Sequence, residues 1–81
     1  MEVMTIVGFR DMSFKGNDGS QVNGRQFFFT MADPQVTGLT AGKFFLSAAA
    51  LETVGYIPKP GDVVEVFYNR FGKVSQIRPA Q

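Results

Sequence analysis

The chain contains no cysteine, no histidine and no tryptophan. Without cysteine there are no disulfides and no thiolate metal sites. Without histidine the commonest zinc ligand and the commonest general base are gone, and no metal or cofactor is expected. Long apolar runs are missing too: nothing approaches the roughly 18 residues of a spanning helix. The opening stretch MEVMTIVGFRD lacks the basic segment of a secretory signal. The chain therefore reads as soluble and intracellular, with no membrane partner. Charge of one sign is also scarce. Eight Lys and Arg face seven Asp and Glu, for a formal net charge of +1, so bulk charge does not announce a polyanion partner. No repeat, charge block or low-complexity linker divides the sequence, and a single domain over residues 1–81 is expected. A chain of 81 residues buries only about 60% of its unfolded surface. Domains near this size often need a disulfide, a metal or a second copy. With the first two excluded, oligomerisation is the expected support.

What the chain does have is phenylalanine. Nine Phe and two Tyr supply its aromatic content, spread over short segments separated by turn signals. EVMTIVGFRDMSFKG is rich in β-branched and aromatic residues, with Gly8 placed for a bulge. The Asp-Gly of NDGS, residues 17–20, signals a tight hairpin. QVNGRQFFFTMAD is the returning strand, with a bend at Asn23-Gly24. DPQVTGLTAG reads as a loop and KFFL as a short third strand. SAAALETVG is the one helix signal, with Ser47 as N-cap and Gly55 as its end. PKPGD then turns, and VVEVFYN and KVSQIRP form the last two strands around RFGK. Strands linked by hairpins with one short helix point to a small all-β barrel or sandwich. An OB-type barrel often carries a helix between its third and fourth strands, where this one falls.

An enzyme built from this sequence would have to work with Asp, Glu, Lys, Ser, Thr or Tyr alone. The seven carboxylates are scattered, with no local spacing of an acid/base couple. There is no phosphate-cradling glycine loop and no nucleophile elbow. A non-enzymatic role is expected.

The aromatics, by contrast, recur beside cations. GRQFFF sets Arg25 two positions before Phe27, hence on the same strand face. Three consecutive Phe cannot share a face: Phe27 is the expected base-stacking ring, Phe28 serves the core or a dimer contact, and Phe29 fits either role. NRFGK places Phe71 at a loop tip between Arg70 and Lys73. Phe14 stands beside Lys15 next to the first hairpin. A Phe at a loop tip either folds back onto the barrel, meets a second subunit, or stacks on a base at about 1–3 kcal/mol while its flanking cations meet phosphates. The other cations, Arg10, Lys43, Lys59 and Arg78, each read singly as solvated charges, and Arg10 joins the expected binding set.

From Val3 to Ala80 the chain resembles the helix-destabilising single-stranded-DNA-binding proteins of filamentous bacteriophages, the gene-five-protein class. The motifs are DGSQVNGRQFF, YIPKPGDVVEVFYN, NRFGK and IRPA. The resemblance implies a five-stranded OB-type barrel with hairpin extensions and one short helix or helical turn. It implies a homodimer that coats single-stranded DNA cooperatively during phage replication in the cytoplasm of a bacterial host. It implies that Phe27, after Gly24-Arg25, stacks on bases and that Phe71-Gly72 serves in the late hairpin loop. Val22 stands where the family carries a basic residue, and only Arg78 matches a pair of C-terminal arginines, so phosphate contacts are fewer. The expected nucleic-acid-binding set is Arg10, Lys15, Arg25, Phe27, Arg70, Phe71 and Lys73. An RNA ligand and a β-barrel module for protein partners stay open as alternatives.

Overall fold

The structure, a computed structural model, describes residues 2–80. Five strands, β1 (Glu2–Lys15), β2 (Gln21–Ala32), β3 (Leu39–Ser47), β4 (Val63–Tyr68) and β5 (Val74–Pro79), and one helix, α1 (Ala48–Val54), follow in that order. They form a single antiparallel sheet ordered β3-β2-β1-β4-β5. This is the expected small all-β architecture with hairpin extensions and one short helix. The sheet does not close into a ring of hydrogen bonds: β3 and β5 are its two edges. No helix among the described residues is long and apolar enough to cross a membrane.

Strand β1 holds the sheet together by serving two partners. Residues Glu2–Thr5 pair with β4, while Thr5–Lys15 pair with β2. Between Ile6 and Gly8 the register slips by one residue, so Val7 is the extra residue of the bulge expected near Gly8. Alternation then fills the interior: Met4, Ile6, Phe27, Leu46, Val64, Val66 and Ile77 form the core. Helix α1 covers the gap between the sheet edges. Ser47 Oγ accepts from the Ala50 N–H at 3.2 Å, and the Gly55 N–H donates to the Leu51 carbonyl at 3.3 Å. Between these caps, Ala50, Leu51 and Val54 turn one face onto the core.

Two expectations are corrected. The segment read as a loop up to Gly42 contributes Leu39–Gly42 to β3, which pairs with β2 over its whole length. Asn23-Gly24 is not a bend either; both residues lie in continuous ladder, opposite Ser13 and Met12. Gly24 is needed for closeness, not for turning. A Cβ there would sit 2.3 Å from the Leu46 carbonyl oxygen and 2.4 Å from the Phe45 ring, so the missing side chain is the space that ring occupies.

The three phenylalanines divide as alternation requires. Phe27 and Phe29 face inward with Phe44, at ring centroid distances of 5.3 and 5.9 Å from it. Phe28 faces outward, half-buried, opposite Gly8 and Lys43.

Candidate nucleic-acid interface

The β4–β5 connection is a tightly built five-residue loop, Asn69 to Lys73. The Gly72 N–H donates to the Asn69 carbonyl at 3.0 Å, and the Asn69 N–H donates to the Lys73 carbonyl at 2.8 Å. Gly72 has φ of +77°, the left-handed conformation that closes a hairpin of this kind and that suits glycine. The Asn69 side chain adds two bonds, its Oδ1 accepting from the Phe71 N–H at 2.9 Å and the Lys73 N–H at 3.1 Å. The loop is thus fixed from within and does not rely on Phe71 as an anchor. That ring stands 72% exposed, with the Arg70 guanidinium over it at 4.9 Å from the centroid. Among the described residues neither Arg70 nor Lys73 has a carboxylate at ion-pair distance. The sequence-based reading of this tip agrees with its geometry: an aromatic held outward between two uncompensated cations.

Beside the tip, where the sheet fails to close, lies a groove of about 530 Å³ lined by Lys43, Phe44, Phe45, Tyr68, Lys73 and Val74, among others. Lys43 and Lys73 reach it from opposite walls, from β3 and from the tip loop. Tyr68 donates its hydroxyl to Glu2 Oε1 at 2.6 Å. Burial first, then that bond and the nearby carboxylate charge, push its pKa up to about 12, so it is a neutral phenol at physiological pH. Sequence reasoning did not place Lys43 or Tyr68 at a site. A signal for Lys43 was present: it immediately precedes Phe44-Phe45, one more aromatic–cation pairing. Tyr68 carried no such signal.

The remaining expected residues are dispersed. Phe27 is a correction: it is fully buried, the largest side chain of the core, and cannot stack on a base. Arg25 lies away from the tip and groove. It does share the Phe27 face, but at that point the face leaves the core, and Arg25 is ion-paired to Asp11 at 2.8 Å and lies 4.3 Å over the Phe9 ring. Its charge is already answered by the protein. Arg78 is likewise paired with Glu65 at 2.8 Å. Arg10 faces the other side of the sheet, where its Nε donates to Gln26 Oε1 at 3.0 Å. Lys15 stands at the exposed end of β1. The tip and groove therefore bring together Arg70, Phe71, Lys73 and Lys43, while Arg10, Lys15 and Arg25 lie elsewhere.

Comparison with protein-family models, curated proteins and solved structures finds no match to this chain. The tip and groove must be read from their own chemistry. Free cations beside exposed rings suit a flexible anionic chain that carries flat apolar groups. On such a ligand, stacking would supply sequence-tolerant attraction and the cations would release counterions from phosphates.

Proposed function

We propose that the chain is a non-enzymatic single-stranded-DNA-binding protein that works as a homodimer and coats strands cooperatively, the role carried by the phage proteins it resembles. Phe71 supports this reading most directly. A large ring is kept in water by a loop whose own hydrogen bonds fix its shape, flanked by Arg70 and Lys73, neither of which has a carboxylate at ion-pair distance among the described residues. A side chain that contributes to the fold would be buried, since leaving apolar area in water costs about 25 cal/mol per Å². Dimerisation agrees with a small core cluster of seven buried hydrophobic side chains among the described residues and with the exposed Val3 and Val63.

Fluorescence anisotropy with labelled oligo-dT at two salt concentrations tests the reading. Binding weakens as salt rises, because neutralised phosphates give log K a slope of roughly −0.7 per contact on single strands. Phe71→Ala weakens binding roughly five- to 150-fold, the equivalent of about 1–3 kcal/mol for one stacked base. Absence of binding by the folded protein at low salt, or binding indifferent to salt, rejects it; the second result favours a module for protein partners. An oligo-U arm alongside decides whether RNA competes, since stacking alone does not separate the two sugars.

A further inference from the structure

The β1–β2 hairpin reverses its polarity along its length. Near the core its inward face is apolar, with Phe9, Phe27 and Phe29. Further out, the same face becomes polar: Arg25 pairs with Asp11, and the Ser13 hydroxyl donates to Asn23 Oδ1 at 2.8 Å. At that level the apolar side chains move to the outward face. Phe14, on β1, meets Phe45, on β3, at 5.5 Å between ring centroids. They meet across β2 because Gly24, the residue between them, has no side chain. Phe14 is 43% exposed, and Met12, Val22 and Phe28 share this face. Cross-strand aromatic packing stabilises the hairpin, but an apolar patch left open on its solvated outer side also marks a surface that meets a ligand.

The strand positions around that pair carry charge of one sign, with the Asp18 carboxylate beyond them at the hairpin turn. Arg10 and Lys43 are outward, and by the register no carboxylate occupies an outward position from Gly8 to Phe14, Val22 to Phe28 or Lys43 to Ser47. Gln26 orients Arg10 through a neutral amide oxygen, and among the described residues no carboxylate pairs with it, unlike Arg25 and Arg78. Lys43 also lines the groove beside the tip, so this face and the groove are continuous.

We propose that the outward face of β1, β2 and β3, centred on Phe14 and Phe45 with Arg10 and Lys43, is a second stacking platform for the same single-stranded nucleic acid. The strand runs from the Phe71 tip through the groove, past Lys43, onto the Phe14–Phe45 pair. A polyanion is the occupant that the charge selects; a second copy of this chain, with its +1 net charge, brings no net negative charge to the face. The inference rests on the single-strand-binding reading, and the test separates the two.

Oligo-dT of increasing length is titrated against wild type, Phe14→Ala, Phe14→Tyr, Lys43→Gln and Phe71→Ala, each checked for folding by circular dichroism. Wild type gains affinity as the oligonucleotide grows long enough to pass from tip to platform. Phe14→Ala loses that gain, a weakening of roughly tenfold for one lost stacked base, while still binding short oligonucleotides like wild type. Phe14→Tyr restores it, because the phenol ring stacks as well. Lys43→Gln lowers the salt slope by about 0.7. If Phe71→Ala weakens binding but Phe14→Ala matches wild type at every length, the platform is refuted and the proposed function stands. If Phe14→Ala changes only the sedimentation behaviour, the patch is a contact between copies, and the platform is again refuted. If wild type binds no oligonucleotide, both readings fall.

Discussion

Gly24→Ala tests the closest approach in the fold. The added methyl would lie 2.3 Å from the Leu46 carbonyl oxygen, and 2.4 and 2.8 Å from two atoms of the Phe45 ring. The ring could rotate away, at the cost of its contact with Phe14. The carbonyl cannot, because it belongs to the backbone of β3, which is paired to β2 along its whole length. Overpacking of this kind costs about 1–3 kcal/mol. Replacing a strand glycine by alanine returns about 0.5–1 kcal/mol of backbone entropy. The balance is a net loss of about 1–2 kcal/mol, or roughly 5–15 °C in Tm for a domain of this size. Thermal unfolding followed by circular dichroism measures it. Gly8→Ala is the internal control, since the nearest atom to its Cβ is 4.0 Å away; the same entropy term leaves that variant as stable as wild type or slightly more so. Gly24→Ala melting at or above the wild-type temperature would refute the close packing of β2 against β3 and with it the support beneath Phe45.

The two phenylalanines expected to act alike should separate cleanly. Phe27→Ala empties the centre of the core and costs about 3–5 kcal/mol, a large part of a typical domain's stability, whereas Phe71→Ala leaves the urea midpoint within experimental error. Ser47→Ala removes the side-chain cap of α1 and costs about 1 kcal/mol, read in the same urea titration. Both tyrosines titrate late. Burial and the Asp62 carboxylate hold Tyr56 up to about 12, and burial and Glu2 do the same for Tyr68. A folded-state pKa raised above the ordinary 10 gives stability that is whole below pH 10 and lost as pH climbs from 10 to 12. Tyrosinate absorbance near 295 nm should therefore rise together with alkaline unfolding; a midpoint near 10 with the fold intact would contradict both hydrogen bonds.

Much of the fold was legible because local chemistry decided it. The Asp-Gly hairpin forms where expected, with Asp18 Oδ1 accepting from the Ser20 N–H at 3.0 Å. Those bonds from the Ser20 hydroxyl and backbone hold the Asp18 carboxyl below its ordinary pKa. The helix begins at Ser47 and ends at Gly55 as its caps require. The errors arose where the decisive partner lay far along the chain. Gly42 looks like a loop residue, but its bare backbone makes room for the Phe29 ring, 2.7 Å from where a Cβ would stand. Phe27 looked exposed because Arg25 shares its face, and alternation does assign them together. What alternation cannot reveal is where along a strand the core stops. The face passes from core to solvent between those two residues, and Asp11, 14 positions earlier, meets the arginine there. The tip was readable because everything that shapes it, from Asn69 to Lys73, is contiguous.

The division of labour within β1 has a mechanical consequence. Three strands on one side and the β4–β5 hairpin on the other are joined by a ladder only four residues long, Glu2–Thr5 against Val63–Val66. Two neighbouring bonds reinforce it, from the Ile6 N–H to the Asp62 carbonyl at 2.8 Å and from the Gly61 N–H to the Ile6 carbonyl at 2.7 Å. A pull between Phe71 and Phe14 is transmitted through that seam, with the register slip at Val7 beside it. The backbone link is narrow, so α1, which packs on β2, β3 and β5, and the core side chains drawn from both sides carry the rest of that load.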